Sequence, residues 1–183
     1  MKDNPEDLNI YAIELTAQGN YPEAIACFQR AITLDRSNYL LWYNLGITHR
    51  DSGNLGRARD ALVYARELEP YDEDVLDALG LVLMNLGEYE EAVDVFQDGL
   101  DLNPDNHHLW NNLGVAFFSQ GAYGTASEAF EAAVTIFPNY YDALYNLRDT
   151  YRELGNTSGA AVCEERLRER PSGTEGFSPG LSF

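Results

Sequence analysis

Residues 107–140 read HHLWNNLGVAFFSQGAYGTASEAFEAAVTIFPNY, and the order Trp110, Leu113, Gly114, Phe117, Gly121, Tyr123, Ala126, Phe130, Ala133, Pro138 inside them decides the fold. The same order recurs along the chain. Glycine returns at Gly19, Gly53, Gly87, Gly121 and Gly155, and alanine at Ala24, Ala58, Ala92, Ala126 and Ala160, both in steps of 34. Pro70, Pro104 and Pro138 keep the same step, as do Phe28, Leu62, Phe96 and Phe130. A fixed period of this length is the signature of stacked supersecondary units. Five blocks follow: 5–38, 39–72, 73–106, 107–140 and 141–174, after a leader, 1–4, and before a Ser/Gly/Pro-rich tail, 175–183, that reads as flexible.

The third block gives the local structure. Leu76, Leu79, Leu83 and Leu86 fall at helical spacing, and Gly87 stops that helix. Tyr89, Ala92, Val93, Phe96 and Leu100 form a second helical stripe. Asn103-Pro104 closes it, because proline disfavours helical geometry before it and has no amide proton. Asp105-Asn106 is placed to cap the next helix. One hairpin cannot bury its apolar face alone, so the blocks must stack. At the positions of Phe28 and Leu34 the fifth block carries Glu164 and Arg170, so its last helix reads as a polar end cap. Arg148 replaces the small residue of the first helix, which makes the fifth hairpin the irregular one.

This pattern resembles the tetratricopeptide repeat, and the second block repeats it with Trp42, Leu45, Gly46, Gly53, Ala58, Leu62, Ala65 and Pro70. The resemblance implies an all-α, right-handed superhelical solenoid of five helix-turn-helix repeats. It also implies a concave groove lined by the first helices, where a peptide or helix of a partner protein binds. The implied groove residues are Leu40, Tyr43, Asn44 and Ile47 in the second block, and Asp74, Asp77, Leu81 and Met84 in the third. The fourth supplies His108, Asn111, Asn112, Val115 and Phe118, and the fifth Tyr145 and Asn146. Its apolar centre and flanking carboxylates fit a partner with apolar and basic residues. Aromatics at Tyr43, Phe118 and Tyr145 are equally an inherited packing pattern, and both readings stand. In some relatives asparagines at the position of Asn44, Asn112 and Asn146 hold a peptide backbone. The Lys/Arg clamp of chaperone-tail receptors is absent.

The charge narrows the partner. Thirty Asp and Glu oppose twelve Lys and Arg, for a net −18. That field repels phosphate backbones, so nucleic acid is not an expected partner. The excess is central: from Glu67 to Leu147 there are 16 acidic residues and no Lys or Arg. Glu90, Asp94, Asp98 and Asp101 run down one helix; they read as a solvated face, with docking of a basic partner as the sharper alternative. No apolar stretch is long enough for membrane insertion, and the acidic N-terminus lacks a signal-peptide core, so a cytoplasmic protein is expected.

No residues announce chemistry. Cys27 and Cys163 share one repeat position whose other occupants are Ala61, Val95 and Ala129, so they read as buried structural thiols. His49 is expected to be a half-buried, hydrogen-bonded packing residue. His107 and His108 diverge by about 100° on a helix and do not form a chelating pair. Asn156-Thr157-Ser158 is a glycosylation sequon lying at a repeat turn. No metal, no cofactor and no catalytic residue is expected. The leading expectation is a non-catalytic adaptor or scaffold. The alternative is a structural protein that homo-oligomerises through its terminal repeats, through the aromatic junction Phe137, Tyr140 and Tyr141, or through the tail with Phe177, Leu181 and Phe183.

Overall fold

The computed structural model describes residues 4–169, so the expectations for Arg170 and for the tail 175–183 lie outside the described residues. The described residues form ten α-helices and no strand. They fall in two compact units, Met1–Gly87 and Glu88–Phe183. The first holds α1 (Pro5–Ala17), α2 (Tyr21–Leu34), α3 (Tyr39–Asp51), α4 (Leu55–Leu68) and α5 (Glu73–Leu86). The second holds α6 (Tyr89–Leu102), α7 (His107–Ser119), α8 (Tyr123–Ile136), α9 (Tyr141–Glu153) and α10 (Thr157–Arg168).

The helix boundaries follow from a few side chains. Orphan amides at a helix start need acceptors. Asn4, Asn38, Asp72 and Asn106 supply them at the starts of α1, α3, α5 and α7, with Asp72 reaching the Val75 amide at 3.0 Å. α3 and α7 end before Gly53 and Gly121, whose φ of 79° and 76° is the left-handed geometry that an L side chain resists. The turn before each tryptophan-bearing helix is tied down by the indole. Trp42 Nε1 donates to the Arg36 carbonyl at 3.0 Å, and Trp110 Nε1 to the Pro104 carbonyl at 2.8 Å.

Packing is sequential within each unit. Each helix from α1 to α4 touches its successor, as does each from α6 to α9, and first helices also touch: α1 with α3, α3 with α5, α7 with α9. Phe28 and Leu62 fill the first unit, and Phe96 and Phe130 the second; none is more than 1% exposed. Burying each such side chain contributes about 2–3 kcal/mol. Their partners across the hairpin must be small. A methyl group on Gly46 would lie 2.6 Å from Leu62 Cγ, and one on Gly114 2.6 Å from Phe130 Cε1.

The fifth hairpin solves this contact differently. Arg148 stands where Gly46 and Gly114 stand, and Glu164 where Leu62 and Phe130 stand. Arg148 lies half-buried, doubly hydrogen-bonded to Asp149 at 2.8 and 3.0 Å, with its guanidinium 4.9 Å from the Tyr145 ring centroid. Those hydrogen bonds, with a further contribution from Glu164, hold its charged form above the usual arginine range. Glu164 turns to Arg152 at 2.6 Å and to Arg168 at 3.6 Å. A small-against-large apolar contact has become a charge network.

His49 departs from expectation. It is 4% exposed, not half-buried, and its Nδ1 has no hydrogen-bond partner. Burial, helped by Arg57, pushes its pKa below the ordinary value. It stands where other pairs place Leu15, Leu83, Phe117 and Tyr151, and apolar packing there leaves nothing polar for the second nitrogen. Cys163 is buried and its thiol is pushed up by that burial, away from the thiolate form. Cys27 is half-buried.

Candidate functional site

The expected groove residues divide between the two units. In the first unit, Leu40, Tyr43, Asn44 and Ile47 lie on α3, and Asp74, Asp77, Leu81 and Met84 on α5, helices that touch. Leu40 is exposed, and Tyr43, Ile47, Leu81 and Met84 are half-buried. Burial and then the Asp74 carboxylate push the Tyr43 phenol above its usual pKa, with Asp72 and Asp77 adding and Arg50 opposing. An aromatic ring therefore sits among carboxylates. Arg50 is held at 2.9 Å by Asp51. This face offers apolar contact area at its centre and negative charge beside it.

Asn44 is spoken for. Its Nδ2 donates to Asn9 Oδ1 at 3.0 Å, a staple from α3 to α1. The second unit repeats the device: Asn146 Nδ2 on α9 donates to Asn111 Oδ1 on α7 at 2.9 Å. Asn111 is itself 7% exposed and turns its own amide towards Asn112 at 3.5 Å. The asparagines expected to meet a peptide backbone therefore first join one first helix to the next. The bond from Asn44 to Asn9 was signalled by spacing alone: each staple joins asparagines 35 residues apart, one repeat plus one residue.

Of the remaining residues of the second unit, Val115, Phe118 and Tyr145 are half-buried, as Tyr43, Ile47, Leu81 and Met84 are in the first. The Phe118 ring packs on Tyr123 of α8, centroids 5.0 Å apart. Val115 and Phe118 lean on the core formed by Phe130, Ala143 and Leu144. Tyr145 lies beneath Arg148. Only His108 is well exposed, and its Nδ1 sits 3.1 Å from the Tyr140 hydroxyl. The aromatic junction closes on the same place. His107 lies 5.0 Å from both Phe137 and Tyr140, centroid to centroid, so these rings cover the start of α7. Burial and the neighbouring His108 push the His107 pKa down.

Among the described residues there is no cluster of three or more metal-binding side chains, and no helix is long and apolar enough to cross a membrane.

Helix hairpins stacked in series, with small-against-large contacts repeated at a fixed step, define an α-helical repeat protein. A tetratricopeptide repeat model matches residues 78–141, and a second model of the same repeat matches residues 14–53. The chain belongs to the tetratricopeptide repeat family, and its architecture is that family's all-α solenoid. It is similar to the anaphase-promoting complex subunit cut9 of Schizosaccharomyces pombe, with 28% identity over 88 residues, 48% of this chain; the match spans only 13% of that protein. Among solved structures it shares its fold with MamA, at 23% identity and a TM-score of 0.82 over 86% of this chain and 92% of that one. A MamA structure from Desulfovibrio magneticus RS-1 matches at 17% identity and 0.79, over 92% and 93%. YrrB, described as a TPR protein with an unusual peptide-binding site, matches at 23% identity and 0.76, over 90% and 85%.

Proposed function

We propose that this chain is a non-catalytic protein-interaction module that holds an apolar segment, flanked by basic residues, of a partner protein. The seat is the α3–α5 face of the first unit. One observation carries the reading: Tyr43, a half-buried aromatic beside the half-buried apolar residues Ile47, Leu81 and Met84, lies under the influence of Asp74, Asp72 and Asp77. A flat ring and a pliable thioether accept varied apolar side chains, and the carboxylates select Lys or Arg beside them. The peptide-binding site ascribed to YrrB, a protein of the same fold, supports a peptide-sized ligand. The net charge of −18 argues for a basic partner and against nucleic acid.

The test is a comparative pull-down from the native host with the wild-type chain and with Tyr43→Ala/Met84→Ala. The variant retains its helical circular dichroism and loses the partner recovered by wild type. Equal recovery with an intact fold would sink the assignment. Self-assembly through the aromatic junction is the weaker reading, because Tyr140 and Tyr141 are half-buried and Tyr140 packs against His107, which leaves Phe137 as the exposed ring.

A further inference from the structure

The first helix of every pair but one is covered on its outer side by the helix before it. α3 is covered by α2, α5 by α4, α7 by α6 and α9 by α8. The covered stripe uses four equivalent positions. At the first stand Leu41, Val75, Leu109 and Ala143, none more than 1% exposed. At the third stand Leu45, Leu79, Leu113 and Leu147, at most 5% exposed, and at the fourth Thr48, Val82, Ala116 and Thr150, at most 1%. The second holds the staple asparagines Asn44 and Asn146, together with Asn112 and Ala78.

On α1 the same four positions carry Asp7, Ile10, Tyr11 and Glu14, and all four are exposed. Ile10 is 57% and Tyr11 43% exposed. At about 100° per residue the four fall within one stripe of roughly 100°, two apolar side chains between two carboxylates set about 10.5 Å apart along the helix. Ile10 and Tyr11 thus form an adjacent exposed apolar pair framed by carboxylates. Another standard repeat is a poor occupant, since it would bury Asp7 and Glu14 without partners, which is costly. α1 itself carries Glu6, Asp7 and Glu14 and no basic residue.

We infer that this outer stripe of α1 is a docking surface for an amphipathic helix of a partner protein whose apolar residues are flanked by Lys or Arg. The chain itself shows the geometry four times over, since a helix is what lies on this stripe at α3, α5, α7 and α9. Ile10 and Tyr11 supply the apolar contact, and Asp7 and Glu14 pair with cations about two turns apart on the incoming helix. The net charge of −18 disfavours a second copy of this chain, and light scattering tests that occupant. The surface is separate from the α3–α5 face and does not depend on it.

Two synthetic helical peptides with one shared leucine stripe, flanked by Lys in the first and Glu in the second, provide the test by fluorescence anisotropy. The Lys peptide binds the full chain and the Glu peptide does not. Ile10→Asp/Tyr11→Asp and Asp7→Asn/Glu14→Gln each weaken binding about tenfold or more, with the chain still folded by circular dichroism, because all four side chains are exposed. Asp94→Asn/Asp98→Asn on α6 and Tyr43→Ala/Met84→Ala change it by less than about twofold. Equal weakening by the α6 variant would make the binding general electrostatics. Weakening by Tyr43→Ala/Met84→Ala alone would move it to the α3–α5 face. Binding untouched by the α1 variants, or no binding of the Lys peptide, overturns the inference. So does a dimer in light scattering that Ile10→Asp dissolves, because the occupant is then a second copy.

Discussion

Gly114 and Phe130 show how tightly a single residue can constrain this chain. A Cβ on Gly114 would stand 2.6 to 2.9 Å from three atoms of the Phe130 ring. The ring is fully buried and cannot swing away. Gly114→Ala is therefore expected to destabilise by about 1–3 kcal/mol despite alanine's better helix propensity. Phe130→Leu in the same chain is expected to recover part of that loss, and urea unfolding of the two single variants and the double checks it. Additive losses would mean the contact is not the cause. His49 makes a second residue-scale case. Its folded pKa is lowered, so the folded state prefers the neutral ring while the unfolded chain takes up a proton near 6.5. Stability from this group is complete above pH 6.5 and drains away as pH falls towards the folded pKa. Each unit of depression is worth about 1.4 kcal/mol. Between pH 7.5 and 5.5, wild type should lose stability that His49→Leu keeps. Parallel denaturation midpoints across that range would refute it.

At the scale of elements, the fifth hairpin tests whether Arg148 and Glu164 are one change or two. Both were visible in the sequence as departures from a ladder. Their relation was visible only on noticing that one occupies the small position and the other the large position of the same contact. Glu164→Phe alone places a ring against a half-buried guanidinium and removes the acceptor of Arg152 and Arg168. It is expected to destabilise. Arg148→Gly with Glu164→Phe restores the arrangement of Gly114 and Phe130 and is expected to be more stable than either single variant. The coupling should be about 1–3 kcal/mol, read from a double-mutant cycle in urea. The helices themselves were legible because their signals are local: asparagine caps, a glycine stop and an apolar stripe of period 3.6. The candidate site was less so. Groove and packing use the same aromatic positions, so nothing local told Phe118, stacked on Tyr123, from Tyr43, set among carboxylates. Nor does a ladder of period 34 display an asparagine staple whose partners are 35 apart.

For the whole molecule the decisive quantity is charge. The stretch from Glu67 to Leu147 carries 16 carboxylates and no Lys or Arg, so within it no acidic residue finds a basic neighbour along the chain. The ion pairs seen at Arg50, Arg59, Arg148, Arg152 and Arg168 all lie outside that stretch. They are partly exposed, and such pairs contribute at most about 1 kcal/mol each. With 30 carboxylates against 12 Lys and Arg, repulsion over the whole chain should exceed attraction. The screening length falls from about 30 Å at 0.01 M salt to about 8 Å at 0.15 M. Folding brings the carboxylates closer than they are in the unfolded chain, so screening relieves the folded state more. The thermal midpoint is expected to rise by several degrees over that range, about 1 kcal/mol for a chain of this size. A partner held by the acidic faces would respond in the opposite sense and bind more weakly. A midpoint that stays level or falls with salt would show that the flanking ion pairs outweigh the central repulsion.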